Sequence, residues 1–185
     1  FPTALAANTT GARNTAIGKD ALLANTTGAH NVAVGEEALE DNTTGNYNTA
    51  LGRNSLNSAT TADDNVAVGN SSMVANTTGA SNTAVGKSAL TANTTASNNT
   101  AVGKSALAAN TTGTENVAIG MQALDANGAG TDGSYNVAIG NDALGANTEG
   151  QFNVGVGRRA LYANTTADEN TAVGYLSLYA NTTGA

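Results

Sequence analysis

The most constraining feature of the sequence is an internal repeat in which one pattern returns at every seventeenth residue. A pentapeptide Asn-[Thr/Val]-[Ala/Gly]-[Val/Ile/Leu]-Gly begins at ten asparagines with this spacing, except for one longer step between Asn116 and Asn136. The ten are Asn14, Asn31, Asn48, Asn65, Asn82, Asn99, Asn116, Asn136, Asn153 and Asn170. Taking this Asn as position 1, position 5 is always Gly, position 9 is Leu or Met, and position 12 is Asn in nine of ten copies. Such a period is typical of a chain that stacks one structural unit on the next.

Composition excludes several classes of protein. Aromatic residues make up 4% of the chain and Trp is absent, which is unusual for a globular core. A disordered polar tract, however, would not return an aliphatic residue to the same phase ten times. The net charge of -7 argues against a nucleic acid or an anionic membrane as partner. No apolar run reaches the ~20 residues that span a bilayer, and the absence of Cys excludes disulfides and thiolate metal sites.

The repeat predicts one all-β domain over residues 1–185, a parallel β-solenoid (β-roll) of about 11 coils with a three-residue insertion near residues 128–133. The Thr/Val-Ala-Val/Ile stretch is β-branched and ends at Gly, which predicts a short strand. The x-Ala-Leu-x-Ala stretch predicts a second short strand or, alternatively, a single helical turn. Asn-Thr-Thr-Gly predicts the turn between coils.

The aliphatic residues at positions 4 and 9 are the predicted core. They include Val34, Leu39, Val68, Val85, Leu90, Val102, Leu107, Ile119, Leu124, Ile139, Leu144, Val173 and Leu178. Two large apolar side chains per coil contribute about 1.5 to 3 kcal/mol each, whereas ordering a residue costs roughly 1 to 2 kcal/mol in backbone entropy. We therefore expect further burial through self-association, as a lateral homotrimer or as an end-to-end filament.

The asparagines at position 12 have two interpretations. Eight of them precede Thr-Thr and so form N-x-[ST] sequons: Asn8, Asn25, Asn42, Asn76, Asn93, Asn110, Asn164 and Asn181. Asn70 and Asn98 also satisfy the sequon. Stacked coils would place the position 12 side chains in a hydrogen-bonded ladder, which we favour. The alternative is a row of glycans along one edge of the rod.

Residues with catalytic or metal-binding potential are few. His30 is the single His, at variable position 17, and we expect an exposed surface residue there. Gly155 to Ala160 fits a dinucleotide fingerprint but lacks a strand-helix-strand context. Asp132 lies in a Gly-rich insertion that resembles half of a calcium-binding repeat and is a weak metal candidate. The sequence predicts no enzyme activity and no cofactor.

The phrase Asn-Val-Ala-Val-Gly at Asn31, and Asn-Val-Ala-Ile-Gly at Asn116, resembles the head repeat of trimeric autotransporter adhesins and haemagglutinin-like surface proteins. The longer phrase from Asn99 to Gly113 is similar to repeat arrays of bacterial and phage tail-fibre-like proteins. The resemblance extends over the whole chain, although the adhesin repeat is shorter than the repeat found here. It implies a left-handed β-roll of three chains and a location outside the cell, on a cell surface or on a virion.

Two classes of function follow as hypotheses. The first is a non-catalytic structural segment of an extracellular fibre, appendage or adhesin stalk. The second is a binding module for a host receptor or a glycan, including a phage tail fibre, with ice binding as a weaker alternative. Five aromatic residues in the C-terminal half favour a contact surface there; they are Tyr135, Phe152, Tyr162, Tyr175 and Tyr179.

Overall fold

The computed structural model describes residues 3–127, 133–182 and 184, and the predicted parallel β-solenoid is confirmed. Each repeat unit supplies one short strand, and the described strands form a single ten-stranded parallel sheet in chain order. The strands are β1 Thr15–Ile17, β2 Val32–Val34, β3 Thr49–Leu51, β4 Val66–Val68, β5 Thr83–Val85, β6 Thr100–Val102, β7 Val117–Ile119, β8 Val137–Ile139, β9 Val154–Val156 and β10 Thr171–Val173. At about 4.8 Å per strand the sheet extends about 43 Å.

Neighbouring coils stack in register, so that equal positions of the repeat pair with one another. Thr83 pairs with Thr100, and Val85 with Val102. The register continues across the longer unit, where Val117 pairs with Val137. The extra residues therefore do not shift the phase of the sheet.

The x-Ala-Leu-x-Ala stretch at positions 7 to 11, which we call the Ala-Leu arm, forms turns in each coil. This corrects the prediction of a second strand there. Positions 7 and 9 have left-handed backbones, as at Glu37 (φ 58°) and Leu39 (φ 52°), and a left-handed residue interrupts an extended run. Hydrogen bonds between coils nevertheless continue through the arm. The Leu39 amide, for example, donates to the Ser55 carbonyl of the next coil at 3.1 Å.

The interior of the coil is narrow and is filled from positions 1, 3, 8, 9 and 12. The predicted core residues Leu39, Leu90, Leu107, Leu124 and Leu144 at position 9 are fully buried, and Met73 takes the same place in its coil. Ala at position 3 and Ala or Ser at position 8 line this column of leucines, as at Ala101 and Ala106. Leu178, also predicted as core, is 49% exposed in a coil that has a described neighbour on one side only.

The position 4 residues are not part of the interior, which corrects half of the predicted core. Successive residues of a strand point to opposite faces, and Ala at position 3 takes the inward direction. The outward residues of the predicted core are Val34, Val68, Val85 and Val102, which are half-buried, and Ile119, Ile139 and Val173, which are exposed.

The invariant Gly at position 5 has two structural causes. Its φ lies between 126° and 138° in the ten coils, a region that side chains rarely adopt. A Cβ added at Gly69 would also lie 2.7 Å from the carbonyl carbon and oxygen of Gly86 in the next coil. The strand therefore ends at a corner where two backbones touch.

Candidate interaction surfaces

Position 12 asparagines form a ladder inside the rod. The Asn93 side chain donates from Nδ2 to Oδ1 of Asn76 at 2.7 Å and to the Ala96 carbonyl of its own coil at 3.0 Å. Position 1 asparagines form a second ladder, in which Oδ1 of Asn82 accepts the backbone amide of Asn99 at 2.9 Å. The two ladders hold each coil closed, because Asn99 and Asn110 both donate to the Gly113 carbonyl at 2.9 Å.

This geometry argues against a glycan coat on the position 12 sequons. Asn25, Asn42, Asn76, Asn93, Asn110 and Asn164 are fully buried, and Asn8 and Asn181 are half-buried in the first and last described coils. The amide nitrogen of Asn25, for example, donates inside the rod to both Asn8 and Gly28. A sugar on this nitrogen would have to break the ladder. Asn70 and Asn98, the two remaining sequons, are exposed.

The outward side chains of the sheet form a long surface that we call the strand face, defined by positions 2 and 4 of the ten coils. Position 2 is Thr or Val and position 4 is Val, Ile or Leu throughout. None of the 14 acidic and 7 basic residues of the chain lies at positions 1 to 5. The strand face is therefore an uncharged, largely apolar surface that runs the length of the sheet.

Charged residues concentrate on the two edges of the strand face. Position 6, just after the Gly corner, forms a basic row of Lys19, Arg53, Lys87, Lys104 and Arg158, which are five of the seven basic residues. Positions 16 and 17, just before the strand, form an acidic row of Asp63, Asp64, Glu115, Asp168 and Glu169. Each row includes one residue of the opposite sign, which is Glu36 at position 6 and Arg13 at position 17. The strand face thus has a mainly positive edge and a mainly negative edge.

Exposed apolar side chains follow the same surface. Among the described residues, eleven of the fourteen exposed large hydrophobic side chains lie on the strand face or at positions 6 and 17. They include Ile17, Leu51 and Val173 on the face, which are 62%, 47% and 69% exposed, and Met121 and Tyr135 at its edges. Contiguous apolar surface of this extent is typical of an interaction site.

Aromatic residues stack between coils rather than standing alone. The rings of Tyr135 and Phe152 at position 17 are parallel, with centroids 4.9 Å apart. Tyr162 and Tyr179 at position 10 stack at 5.4 Å, with the Arg159 guanidinium 5.3 Å from the Tyr162 ring. The last predicted contact residue, Tyr175, lies under Arg158 at 5.8 Å. The five C-terminal aromatics therefore form three separate clusters around the coil.

His30 is half-buried rather than fully exposed on the surface. Its ring stacks on Tyr47 of the next coil, with centroids 4.8 Å apart, and Nε2 lies 3.4 Å from Nη1 of Arg13. No carboxylate contacts it among the described residues. His30 is therefore one member of a column of position 17 side chains.

Polar and glycine residues elsewhere also take part in the stacking of the coils. Gly155 lies in the middle of β9 beside Leu144, so the dinucleotide-like phrase is part of the repeat. Thr hydroxyls at position 13, as in Thr77, donate to the carbonyl of the next coil. Over the described part of the chain there is no surface pocket and no group of three His, Asp or Glu side chains that could hold a metal. The weak metal candidate Asp132 lies outside the described residues.

Two ionisable groups in the C-terminal half of the chain have perturbed pKa values with clear causes. Partial burial raises the pKa of the Asp125 carboxyl at position 10, against a smaller opposing effect of its hydrogen bond with Gln122. The hydrogen bond from Arg159 to Asp142, at 3.1 Å, raises the pKa of the guanidinium. Both groups lie on the Ala-Leu arm, away from the strand face.

The described residues include no helix with the length and hydrophobicity needed to cross a bilayer. Comparisons with protein-family models, with curated proteins and with solved structures return no match to this chain.

Proposed function

We propose that this chain is a non-catalytic structural segment of an extracellular fibre or adhesin, in which parallel rods associate side by side through their strand faces. The observation that carries the proposal is the uncharged strand face, repeated over ten coils without a single charged substitution. A sheet face exposed to water has no reason to exclude charge so completely. Burial against a second copy gives such a reason, because each buried apolar side chain contributes about 1.5 to 3 kcal/mol.

The rod itself is suited to a mechanical role. Coils contact their neighbours through backbone hydrogen bonds and through two asparagine ladders, so tension is distributed over many equivalent bonds. The resemblance of the Asn-Val-Ala-Val-Gly phrase to the heads of trimeric adhesins supports three copies and a location on a cell surface or virion. The net charge of -7 is carried outside the strand face and favours solubility of an assembled fibre.

Immunogold electron microscopy of the cells or virions that make the protein tests this role. Antibodies raised against the purified chain would be applied to unfixed, intact particles. We expect gold along thin projections at the outer surface. Gold confined to the interior of sectioned cells, with none on intact ones, would contradict the extracellular role.

A second candidate function is glycan binding, favoured by the stacked rings beside Arg159. Tyr162 and Tyr179 present a flat aromatic column on the Ala-Leu arm, away from the strand face, so it stays accessible in a side-by-side assembly. Aromatic faces stack on sugar rings, and a guanidinium adds a charged donor. A glycan array with the wild-type chain and with Tyr162→Ala would test it. Equal signals from both proteins would remove this candidate.

A further inference from the structure

We propose that the two charged edges of the strand face fix a parallel, coil-for-coil alignment between copies, with the basic row of one copy against the acidic row of the next. This inference rests on the proposed side-by-side association. Each unit with an acid at position 16 or 17 has a base at position 6. The three sets are Arg53 with Asp63 and Asp64, Lys104 with Glu115, and Arg158 with Asp168 and Glu169.

These charges do not satisfy one another within a single chain. The two rows lie on opposite edges of the strand face, and no ion pair among the described residues joins one row to the other. Arg53 pairs at 3.1 Å with Glu36 in the neighbouring coil, and neither Lys104 nor Arg158 forms an ion pair with any described residue.

Inside the rod, the position 16 carboxylates of Asp63 and Asp168 accept the backbone amides of Asn46 and Gln151 in the preceding coil. These bonds account for an acid at position 16, but they do not explain why each unit with an acid at position 16 or 17 has a base at position 6.

Symmetry explains the match. When a rod is rotated about an axis parallel to its length, the position 6 edge of one copy meets the position 16 and 17 edge of the next at the same height. Residues of one unit lie within one coil of each other along the rod, about 4.8 Å, which Lys and Arg side chains span. An antiparallel pair would instead bring basic row against basic row, which is repulsive.

The charges also select one register among the parallel ones. With equal coils side by side, three basic residues lie opposite acids. A slip of one coil leaves at most one such contact, between Lys87 and Glu115. The alignment with equal coils side by side also places Met121 opposite Tyr135 of the next copy. Both side chains are exposed in the single chain, and together they would make a favourable sulfur-aromatic contact.

The area of the strand face alone is too small for a stable interface, which indicates that its charged edges are buried as well. The strand face is about 43 Å long and roughly 10 Å wide, because its two side-chain rows are about 6.6 Å apart. Its area is about half of the roughly 800 Å² that each partner of a stable complex buries. Including the rows at positions 6, 16 and 17 brings the buried surface into the range of a specific interface.

Charge exchange between Lys104 and Glu115 tests the alignment. Sedimentation would compare the wild type with Lys104→Glu, Glu115→Lys and the double variant carrying both changes. The contact between Lys104 and Glu115 of the next copy recurs at every interface of a cyclic assembly. We therefore expect about tenfold weaker association for each single variant. The double variant is expected to return to within about threefold of the wild type. Residues that do not touch inside one chain can rescue each other only across an interface.

Cross-linking gives an independent readout of direction, since the chain contains no native Cys. A short bismaleimide would be added to Lys104→Cys, to Glu115→Cys and to an equal mixture of the two. We expect covalent dimers in the mixture and little product from either variant alone. Efficient linking of Lys104→Cys to itself would overturn the parallel alignment.

The outcomes separate this inference from the proposed function. A wild type that associates while the double variant fails to recover, or while the cross-links are symmetric, overturns the edge pairing and leaves lateral association standing. A wild type that remains monomeric at all concentrations overturns both. High salt should strongly weaken association of the wild type. If it does not weaken association of a variant with Lys104→Ala and Glu115→Ala, this result would further support the pairing.

Discussion

One residue interrupts the position 12 ladder, and its consequences are visible on both sides. Ala59 replaces Asn in its coil, and Oδ1 of Asn42 is buried there without a hydrogen-bond partner among the described residues. On the other side, Asn76 donates only to the Gly79 carbonyl within the described chain, whereas other ladder members also donate to the preceding coil. An unpaired buried acceptor is destabilising by about 1–3 kcal/mol.

Ala59→Asn is therefore expected to stabilise the rod. The new side-chain amide can donate to Oδ1 of Asn42 and accept from Nδ2 of Asn76. The position 12 asparagines of the other coils are linked in the same way. We expect the free energy of unfolding to rise by about 1–2 kcal/mol, measured by urea denaturation at fixed protein concentration. Asn93→Ala is the matched control and should lose a similar amount. An unchanged or lowered stability of Ala59→Asn would contradict the ladder account.

Left-handed residues at position 7 give a second prediction. Ser105 has φ 56°, and its side chain makes no hydrogen bond with the described residues. Ser105→Val should destabilise the chain by about 1–2 kcal/mol, because β-branched residues avoid this region. Ser105→Gly should change stability by less than about 0.5 kcal/mol, because relief of strain offsets the added freedom of the unfolded chain.

Thermal denaturation of the three proteins, wild type, Val and Gly variants, would measure the difference. The left-handed assignment at position 7 would be wrong if the Val variant were as stable as the Gly variant. The residues at this position are Ser, Asn, Asp, Glu, Gln, Arg and Leu in the ten units, and none of them is β-branched. The absence of β-branched residues at position 7 can be seen in the sequence, but its cause, the left-handed backbone, is seen only in the structure.

At the level of the strand, the sequence predicts the element but not its orientation. Three facts are sufficient to predict a solenoid: the constant period, the β-branched strand and the fixed Gly. The prediction puts the larger aliphatic residue of position 4 inside, because burial favours large apolar side chains. The structure puts Ala at position 3 inside, because the interior is already filled by Leu at position 9 and two asparagines.

A signal for this orientation is present in the sequence. Position 3 is Ala in nine coils and Gly155 in one, whereas position 4 varies among Val, Ile and Leu. A site restricted to the smallest residues indicates close packing on the inside of a narrow coil. Since position 4 points outward, its apolar side chains lie on the surface, and that surface and its edges become the candidate interaction site.

The in-register stacking predicts that one coil can be removed without breaking the fold. Deleting Asn99 to Glu115 removes one complete unit and brings equal positions of the flanking coils into contact. We expect a folded protein with a β-rich circular dichroism spectrum and a modestly lower Tm, since stability in solenoids is roughly the sum of unit and neighbour contributions.

Deleting Asn99 to Asn110 is the matched control. It leaves only the end of the unit and puts both asparagine ladders out of phase, so the flanking coils cannot form their in-register hydrogen bonds. We expect loss of cooperative unfolding in this variant. If both deletions unfolded with equal cooperativity, the repeat unit would not be the structural unit.

On the scale of the whole molecule, the chain separates its surfaces by chemistry. Apolar side chains occupy the strand face, opposite charges occupy its two edges, and aromatic stacks with Arg159 lie on the arm. The longer unit between β7 and β8 leaves this arrangement intact, because Asn147 continues the ladder to Asn127 at 2.9 Å. The lateral assembly that we propose uses one face and would leave the others accessible to solvent.

The most direct test of this account is the mass of the chain in solution by sedimentation equilibrium, for the wild type and for Val85→Lys, with Thr95→Lys at position 14 as a control. The wild type and the control should sediment as the same multiple of 18.1 kDa, which is about 54 kDa for three copies. Val85→Lys should remain folded and sediment as a single chain, because its charge points outward from the strand face. A wild type of 18.1 kDa, or a Val85→Lys variant that either unfolds or keeps the wild-type mass, would contradict the account.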